Sequence, residues 1–152
     1  DFISKLNSRS GGERYRLPTE AEWECAARGG TKSRGYQYAG SPNIDDVAFY
    51  ISNSGGKTRP VKSNKPNELG VYDMTGNVWE WCSDWHGDDY YAQSPVQDPQ
   101  GPKDGDVRVR RGGSWHTWSF YARSSFRNWN DASTRYTLVG MRLVCEKDVP
   151  GK

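Results

Sequence analysis

Cysteine occurs three times in this chain and histidine twice, and each scarcity excludes something. Cys25, Cys82 and Cys145 permit at most one internal disulfide and leave one thiol over, which rules out a disulfide-built scaffold. Three free thiols, buried or partly buried, are expected, because free cysteine packs as a small hydrophobe. With only His86 and His116, a three-histidine metal centre cannot be built within the chain. No stretch approaches the ~18 apolar residues that a membrane span requires. Basic residues form no block: 21 Lys and Arg stand against 19 Asp and Glu, for a net charge of +2. Nothing in that pattern tracks a phosphate backbone, so nucleic acid is not an expected partner.

Aliphatic residues are also few. Only 34% of the 152 residues are apolar and 17 are glycine, so the core is expected to lean on the seven Trp and nine Tyr rather than on aliphatic layers. A chain of this length suits one domain, residues 1–152, and buries roughly two thirds of its unfolded surface. The expectation is α+β and loop-rich, with short strands and few helices.

Local signals place some elements. Phe2, Ile3 and Leu6 read as the tail of an amphipathic helix stopped at Ser10-Gly11-Gly12. Residues 14–17 read as a short strand. Thr19 is set to cap a helix reciprocally with Glu22, and Gly29-Gly30 closes it. Residues 31–68 are rich in Gly, Pro, Ser and Asn. So long an irregular stretch needs something to pin it, aromatic anchors or a cation. Residues 84–106 form a second polar loop. Strands are expected at 107–111, near 120–127 and at 139–145.

Three blocks carry a resemblance. They are residues 16–30, containing Arg-Leu-Pro-Thr-Glu-Ala-Glu-Trp-Glu; residues 67–81, Asn-Glu-Leu-Gly-Val-Tyr-Asp-Met-Thr-Gly-Asn-Val-Trp-Glu-Trp; and the pair Arg-Val-Arg-Arg-Gly-Gly-Ser-Trp at 108–115 with Gly-Met-Arg-Leu at 140–143. Together they resemble the formylglycine-generating enzyme, or sulfatase-modifying factor, family. The resemblance implies a C-type-lectin-like fold. It also implies that amino-terminal strands normally precede the segment matching Asp1, so the natural amino-terminal part is expected to be missing. The family holds copper-dependent oxidases, iron enzymes, and variable proteins diversified by retroelements.

In the middle block, Asp73 and Glu80 lie seven residues apart around a Gly-Asn turn, an arrangement that can aim side chains and carbonyls at one hard cation. The resemblance implies structural calcium there, with the Asp73 and Glu80 side chains and the Gly76 and Val78 carbonyls as ligands. The other reading is an Asx-type turn with Glu80 paired to an arginine. For catalysis, the family's copper members use two cysteines after Gly-Gly-Ser-Trp. Thr117 stands at the first of those positions, and residues 83–144 contain no cysteine. Soft Cu(I) takes thiolates, which a threonine hydroxyl does not replace. The iron members use a histidine triad. Neither copper nor iron is expected, and the expectation is a chain that is not an enzyme. A set of Ser114, His116 and Asp131 lacks any nucleophile-elbow pattern. A sulfatase-modifying protein similar to the formylglycine-generating enzyme is the alternative.

Between the fixed ends of residues 112–142, His116, Thr117, Trp118, Phe120, Tyr121, Phe126, Asn128, Trp129, Asn130, Tyr136, Thr137 and Leu138 follow neither a helical nor a strand period. Large aromatics among Asn, Ser and Thr suit a binding surface; they also suit filling a core poor in aliphatics. The segment resembles the variable region of retroelement-diversified proteins, the spirochaete one in particular. In that group, template Asn codons change at adenines, which Asn128 and Asn130 fit and Trp118 and Trp129 do not. The resemblance implies a protein or other macromolecular ligand held by these residues. It also implies display at the cell surface or outer membrane, by a lipid anchor, and internal pairing of the scaffold arginines Arg108, Arg123 and Arg142.

Overall fold

The computed structural model of the chain describes residues 1–11 and 13–146; Gly12, expected in the first helix stop, lies outside them. The first helix, α1 (Phe2–Asn7), is tied to strand β1 (Arg14–Arg16) by the Asn7 amide, which donates to the Tyr15 carbonyl and accepts from the Tyr15 N–H. β1 pairs antiparallel with β8 (Val144–Glu146), Tyr15 opposite Cys145. Helix α2 (Glu20–Ala27) begins with the reciprocal cap expected of Thr19 and Glu22: the Thr19 hydroxyl accepts from the Glu22 amide at 3.1 Å, and the Glu22 carboxylate accepts from the Thr19 amide at 2.8 Å. Gly29, at φ 88°, turns the chain out of the helix.

The central sheet has four strands in the order β6-β5-β4-β7: β4 (Trp79–Trp85), β5 (Arg108–Arg111), β6 (Asn128–Asn130) and β7 (Val139–Gly140). β5 runs antiparallel to both neighbours and β7 lies parallel to β4, with a register shift between Trp81 and Trp85. A parallel pair, β2 (Ala48–Phe49) with β3 (Thr75–Gly76), closes one side, and α3 (Tyr90–Gln93) sits in the second loop. Gly76 has φ 74°, and a β-carbon there would collide with the Phe49 carbonyl, so the parallel approach requires glycine. No helix among the described residues is long and apolar enough to cross a membrane.

Three local expectations need correction. The strand expected near 120–127 is a 3₁₀ turn (Ser119–Ala122) followed by β6, because Ala122 is drawn into the core, fully buried beside Tyr38, Ile44, Val47 and Ala48. The core itself is less aromatic than expected. Trp23 and Trp79 are buried with Ala27, Met74, Cys82 and Val109, whereas Trp81, Trp85 and Trp115 are half-buried and Trp118 and Trp129 exposed. Of the three thiols only Cys82 is buried, where burial pushes its pKa well up; Cys25 and Cys145 are exposed.

What replaces aliphatic bulk is a buried ionic knot. Arg111, with no exposed surface, donates to Glu20 at 2.6 Å, Glu24 at 2.6 Å and the Ser124 carbonyl at 2.6 Å. Arg127 grips Glu20 with two bonds of 2.7 Å, and the Asp84 carboxylate caps the Glu20 amide at 2.7 Å. The knot ties α2 to β5 and to the segment after it. Because desolvating these charges is costly, the network holds only while every member keeps its partner. The long irregular stretch is pinned by aromatic anchors, with Tyr38 buried in the core and Tyr50 packed against it, and by asparagines. Asn67 donates to the Ala26 carbonyl and accepts from Leu69 and Val71, while the Asn77 side chain holds both backbone groups of Arg59.

Candidate functional site

The frame of the carboxyl-terminal segment is rigid. Residues 112–114 are buried, and Gly113 (φ 78°) packs so closely that a β-carbon would lie 3.0 Å from Ala122 and 3.1 Å from the Thr117 hydroxyl. Thr117 belongs to this frame: its hydroxyl accepts from the Ser114 amide at 2.9 Å and donates to the Ser114 carbonyl at 3.0 Å. No hydrogen bond among the described residues joins the side chains of Ser114, His116 and Asp131, and Ser114 Oγ accepts only the His116 backbone amide. At the other end, the Leu138 carbonyl accepts from the Trp79 amide and the Thr137 carbonyl from the Trp115 indole. Leu138 thus reaches the sheet, and Thr137 the Gly-Gly-Ser-Trp frame, through their backbones.

Between these anchors the expected ligand-binding residues separate into groups. Phe120, Tyr121 and Phe126 form an edge-to-face cluster, with centroids 4.9 to 5.5 Å apart. Arg123 lies 3.9 Å over the Phe120 ring. Phe126 is half-buried against Trp79, while Phe120, Tyr121 and the neighbouring Trp118 stay exposed, Trp118 at 64%. Trp129 does not join this cluster; it stacks on His86 at 4.2 Å. Burial, and then the Arg127 charge, holds the His86 pKa below the usual imidazole value. Tyr136 and His116 are exposed. Asn128 and Asn130 are half-buried and engaged: Asn128 Oδ1 accepts from Arg110 Nε at 2.7 Å, and Asn130 Oδ1 from the Asp131 amide at 2.8 Å. Sequence reasoning missed His86 and Arg110 as neighbours of this surface, since only strand pairing brings them beside it.

Asp73, Val78 and Glu80, three of the four residues expected to hold calcium, line one cavity of about 450 Å³ with Lys62, Asn77 and Arg142; Gly76, the fourth, lies buried in the same turn, in β3. Asp73, Gly76 and Asn77 all have left-handed backbones, which forms the tight turn. Yet Arg142 holds Glu80 with bonds of 2.6 and 2.8 Å and also donates to the Tyr72 and Asp73 carbonyls, and the Trp23 indole donates to Glu80 at 2.7 Å. Asp73 accepts from the Lys62 amide at 2.7 Å. The guanidinium therefore meets one of the four expected ligand groups, the Glu80 carboxylate. As arranged, these groups form an ion-paired turn, in which a calcium ion bound through Glu80 would share the carboxylate with Arg142. Among the described residues no group of three or more His, Cys, Asp or Glu is placed to hold a metal ion. Of the scaffold arginines expected to pair, Arg142 does; Arg108 and Arg123 have no carboxylate partner among the described residues.

Short strands curled around a buried Trp and ionic core, with an irregular carboxyl-terminal segment held at both ends, make this a domain of the formylglycine-generating-enzyme type. The family model for the sulfatase-modifying factor enzyme 1-like domain matches residues 2–147, and the chain belongs to that family. The formylglycine-generating enzyme of Streptomyces coelicolor is 42% identical over 149 residues, covering 88% of this chain and 48% of that protein. The chain thus spans about half the length of that relative. Among solved structures, Treponema denticola variable protein 1 superposes with a TM-score of 0.78 at 45% identity, covering 85% of this chain and 46% of that one. PvdO from Pseudomonas aeruginosa does so at 0.78 with 32% identity, covering 95% and 57%.

These relatives correct one expectation. The chain was expected not to be an enzyme; it is 42% identical to a protein named for its enzymatic activity. The lack of cysteine at 83–144 bears on thiolate ligation of copper alone and does not place the chain outside a family of enzymes.

Proposed function

We propose that this domain binds a macromolecular ligand, a protein or another cell-surface molecule, through the exposed part of residues 112–142. The observation that carries the reading is the contrast within that segment. Its first end, residues 112–114, is buried, and its other end is half-buried and tied to β4 by the Leu138 carbonyl, while Trp118, Phe120, Tyr121, Trp129 and Tyr136 between them face solvent. Exposed aromatic rings on a rigid frame offer wide contact area at little cost in rotamer entropy. Such anchors dominate binding where they cluster.

Similarity to a solved protein named variable protein 1 supports a second part of the proposal, that this surface is the diversified one. The retroelement resemblance of the sequence bears in the same direction. Display at the cell surface belongs to the same proposal. The ligand-binding reading concerns this surface and stands alongside membership of a family that includes enzymes.

Sequencing the locus across many isolates tests it. Substitutions concentrated at 116–138, in adenine-derived codons and with residues 112–115 constant, are the expected result. Sparse and even substitution along the whole chain would refute diversification and leave a fixed surface with a dedicated partner.

A further inference from the structure

Strand β5 reads Arg108-Val109-Arg110-Arg111. Val109 and Arg111 face the core, fully buried, so Arg108 and Arg110 emerge together on the opposite face. Pairing sets Asn130 and Trp85 on either side of Arg108, and Asn128 and Trp81 on either side of Arg110. The face therefore carries two parallel rows, each an asparagine, an arginine and a tryptophan, two residues or roughly 7 Å apart along the strand.

Both guanidinium groups are held but not neutralised. Arg108 lies 3.4 Å over the Trp85 ring and donates to the Ser83 carbonyl. Arg110 lies 5.1 Å over the Trp79 ring and donates from Nε to Asn128. Neither has a carboxylate within ion-pair distance among the described residues, whereas Arg16, Arg111, Arg127 and Arg142 all do. Arg110 is half-buried, and burial lowers its pKa, yet a guanidinium remains charged in a protein. A half-buried cation left unpaired costs stability. A planar fork braced on an indole, with its remaining N–H groups free, is preorganised for bidentate bonds to a carboxylate.

At the Arg108 end the face opens into a cavity of about 470 Å³ whose apolar walls include Ile3, Leu17, Trp81 and Ala132. Arg16 also borders it, but its nitrogens are already bound to Glu22 and Glu146.

We propose that this sheet face docks an extended acidic segment of a partner protein, with carboxylates on alternate residues reaching Arg108 and Arg110 and an apolar side chain entering the cavity. Side chains on one side of an extended chain repeat every two residues, which matches the spacing of the two forks. The apolar cavity beside them suits a peptide better than a phosphate polymer, and the chain lacks the basic block that such a polymer needs. The site shares Asn128 and Asn130 with the aromatic surface and does not depend on that surface being diversified.

The test is fluorescence anisotropy of the purified chain with a labelled extended peptide carrying Glu-x-Glu followed by Leu, beside the same peptide with Gln for Glu. Salt-sensitive binding of the first peptide only is expected. It should weaken at least about tenfold in Arg108→Gln and in Arg110→Gln, and be lost in the double variant. Arg110→Lys keeps the charge without the fork and should fall between. Trp118→Ala should bind the peptide like the parent, which separates this site from the aromatic surface. Equal binding of the Gln peptide, no binding of the Glu peptide, unchanged affinity in folded arginine variants, or competition by inorganic phosphate at equal concentration would each overturn the proposal.

Discussion

Arg111 and Arg110 are neighbours on one strand and live in opposite worlds. Arg111 is wholly buried, its charge shared with Glu20 and Glu24; Arg110, one residue earlier, lies on the other face with an asparagine, an indole and no carboxylate among the described residues. Tryptophan divides the same way. Trp23 is enclosed and donates its indole N–H to Glu80, whereas Trp118 is 64% exposed. The inner half spends its charged and aromatic residues on holding the fold. The outer half presents the same residue types to whatever binds. The difference teaches that residue type did not assign the roles here; the pleat of β5 and the two-ended anchoring of the last segment did.

The largest test of that division is Arg111→Ala. It leaves the buried Glu20 and the half-buried Glu24 beside an empty site, so a loss of about 3–5 kcal/mol is expected in denaturant unfolding. A loss no larger than that of a surface substitution would break the contrast between the two halves. Next comes Glu80→Ala, which strips partners from Arg142 and the Trp23 indole and should destabilise by about 1–3 kcal/mol. Melting the parent protein with and without a chelator sharpens this result. An unchanged melting temperature assigns the loss to the ion pair, while a chelator-dependent drop assigns it to calcium at Asp73 and Glu80.

Acid should act on the fold in two stages. Burial, then the charge of Arg127, holds His86 below its ordinary 6.5, so the folded state resists protonation. The stability this gives is present above 6.5 and declines as pH falls toward the folded value. Burial pushes Glu24 up, but the charge and hydrogen bonds of Arg111 and Arg28 outweigh it and hold the carboxyl below its ordinary 4.5. For Glu22 the Arg16 bond is the first cause of the same direction. Their contribution is present above 4.5 and lost as pH falls through the folded values. Melting followed across pH should show both declines, and His86→Phe should remove only the first. The smallest effect belongs to the outer half. Trp118→Ser should leave stability within about 0.5 kcal/mol of the parent, measured by thermal unfolding, while reducing capture of a ligand that uses the 112–142 surface.

Much of the inner half was legible because its signals are local. Thr19 and Glu22 cap α2 across three residues, and Gly29 ends it; both depend on backbone chemistry that neighbours in sequence supply. β5 was legible too. β4 was not anticipated, because Glu80 and Asp84 occupy buried positions where an alternating strand would carry apolar side chains. They are tolerated there by Arg142, by the Trp23 indole and by the Glu20 amide, all more than fifty residues away in the chain. The strand expected near 120–127 failed for a related reason: the pull of one small residue, Ala122, into the core bends the chain into a 3₁₀ turn.

The candidate site shows the same boundary. Composition and irregular periodicity marked residues 116–138 as aromatic surface or aromatic core without separating the two, since burial is a property of position in space. By itself the sequence determined family membership, the helix cap, the glycine turns and the scarcity of thiols and imidazoles, because each follows from residue identity and short-range geometry. Only the tertiary structure decided which arginines are neutralised and which are left open, and which rings face water. Those outcomes depend on partners brought together across the sheet, and the free energy of a charge or a ring is set by those partners and the surrounding dielectric.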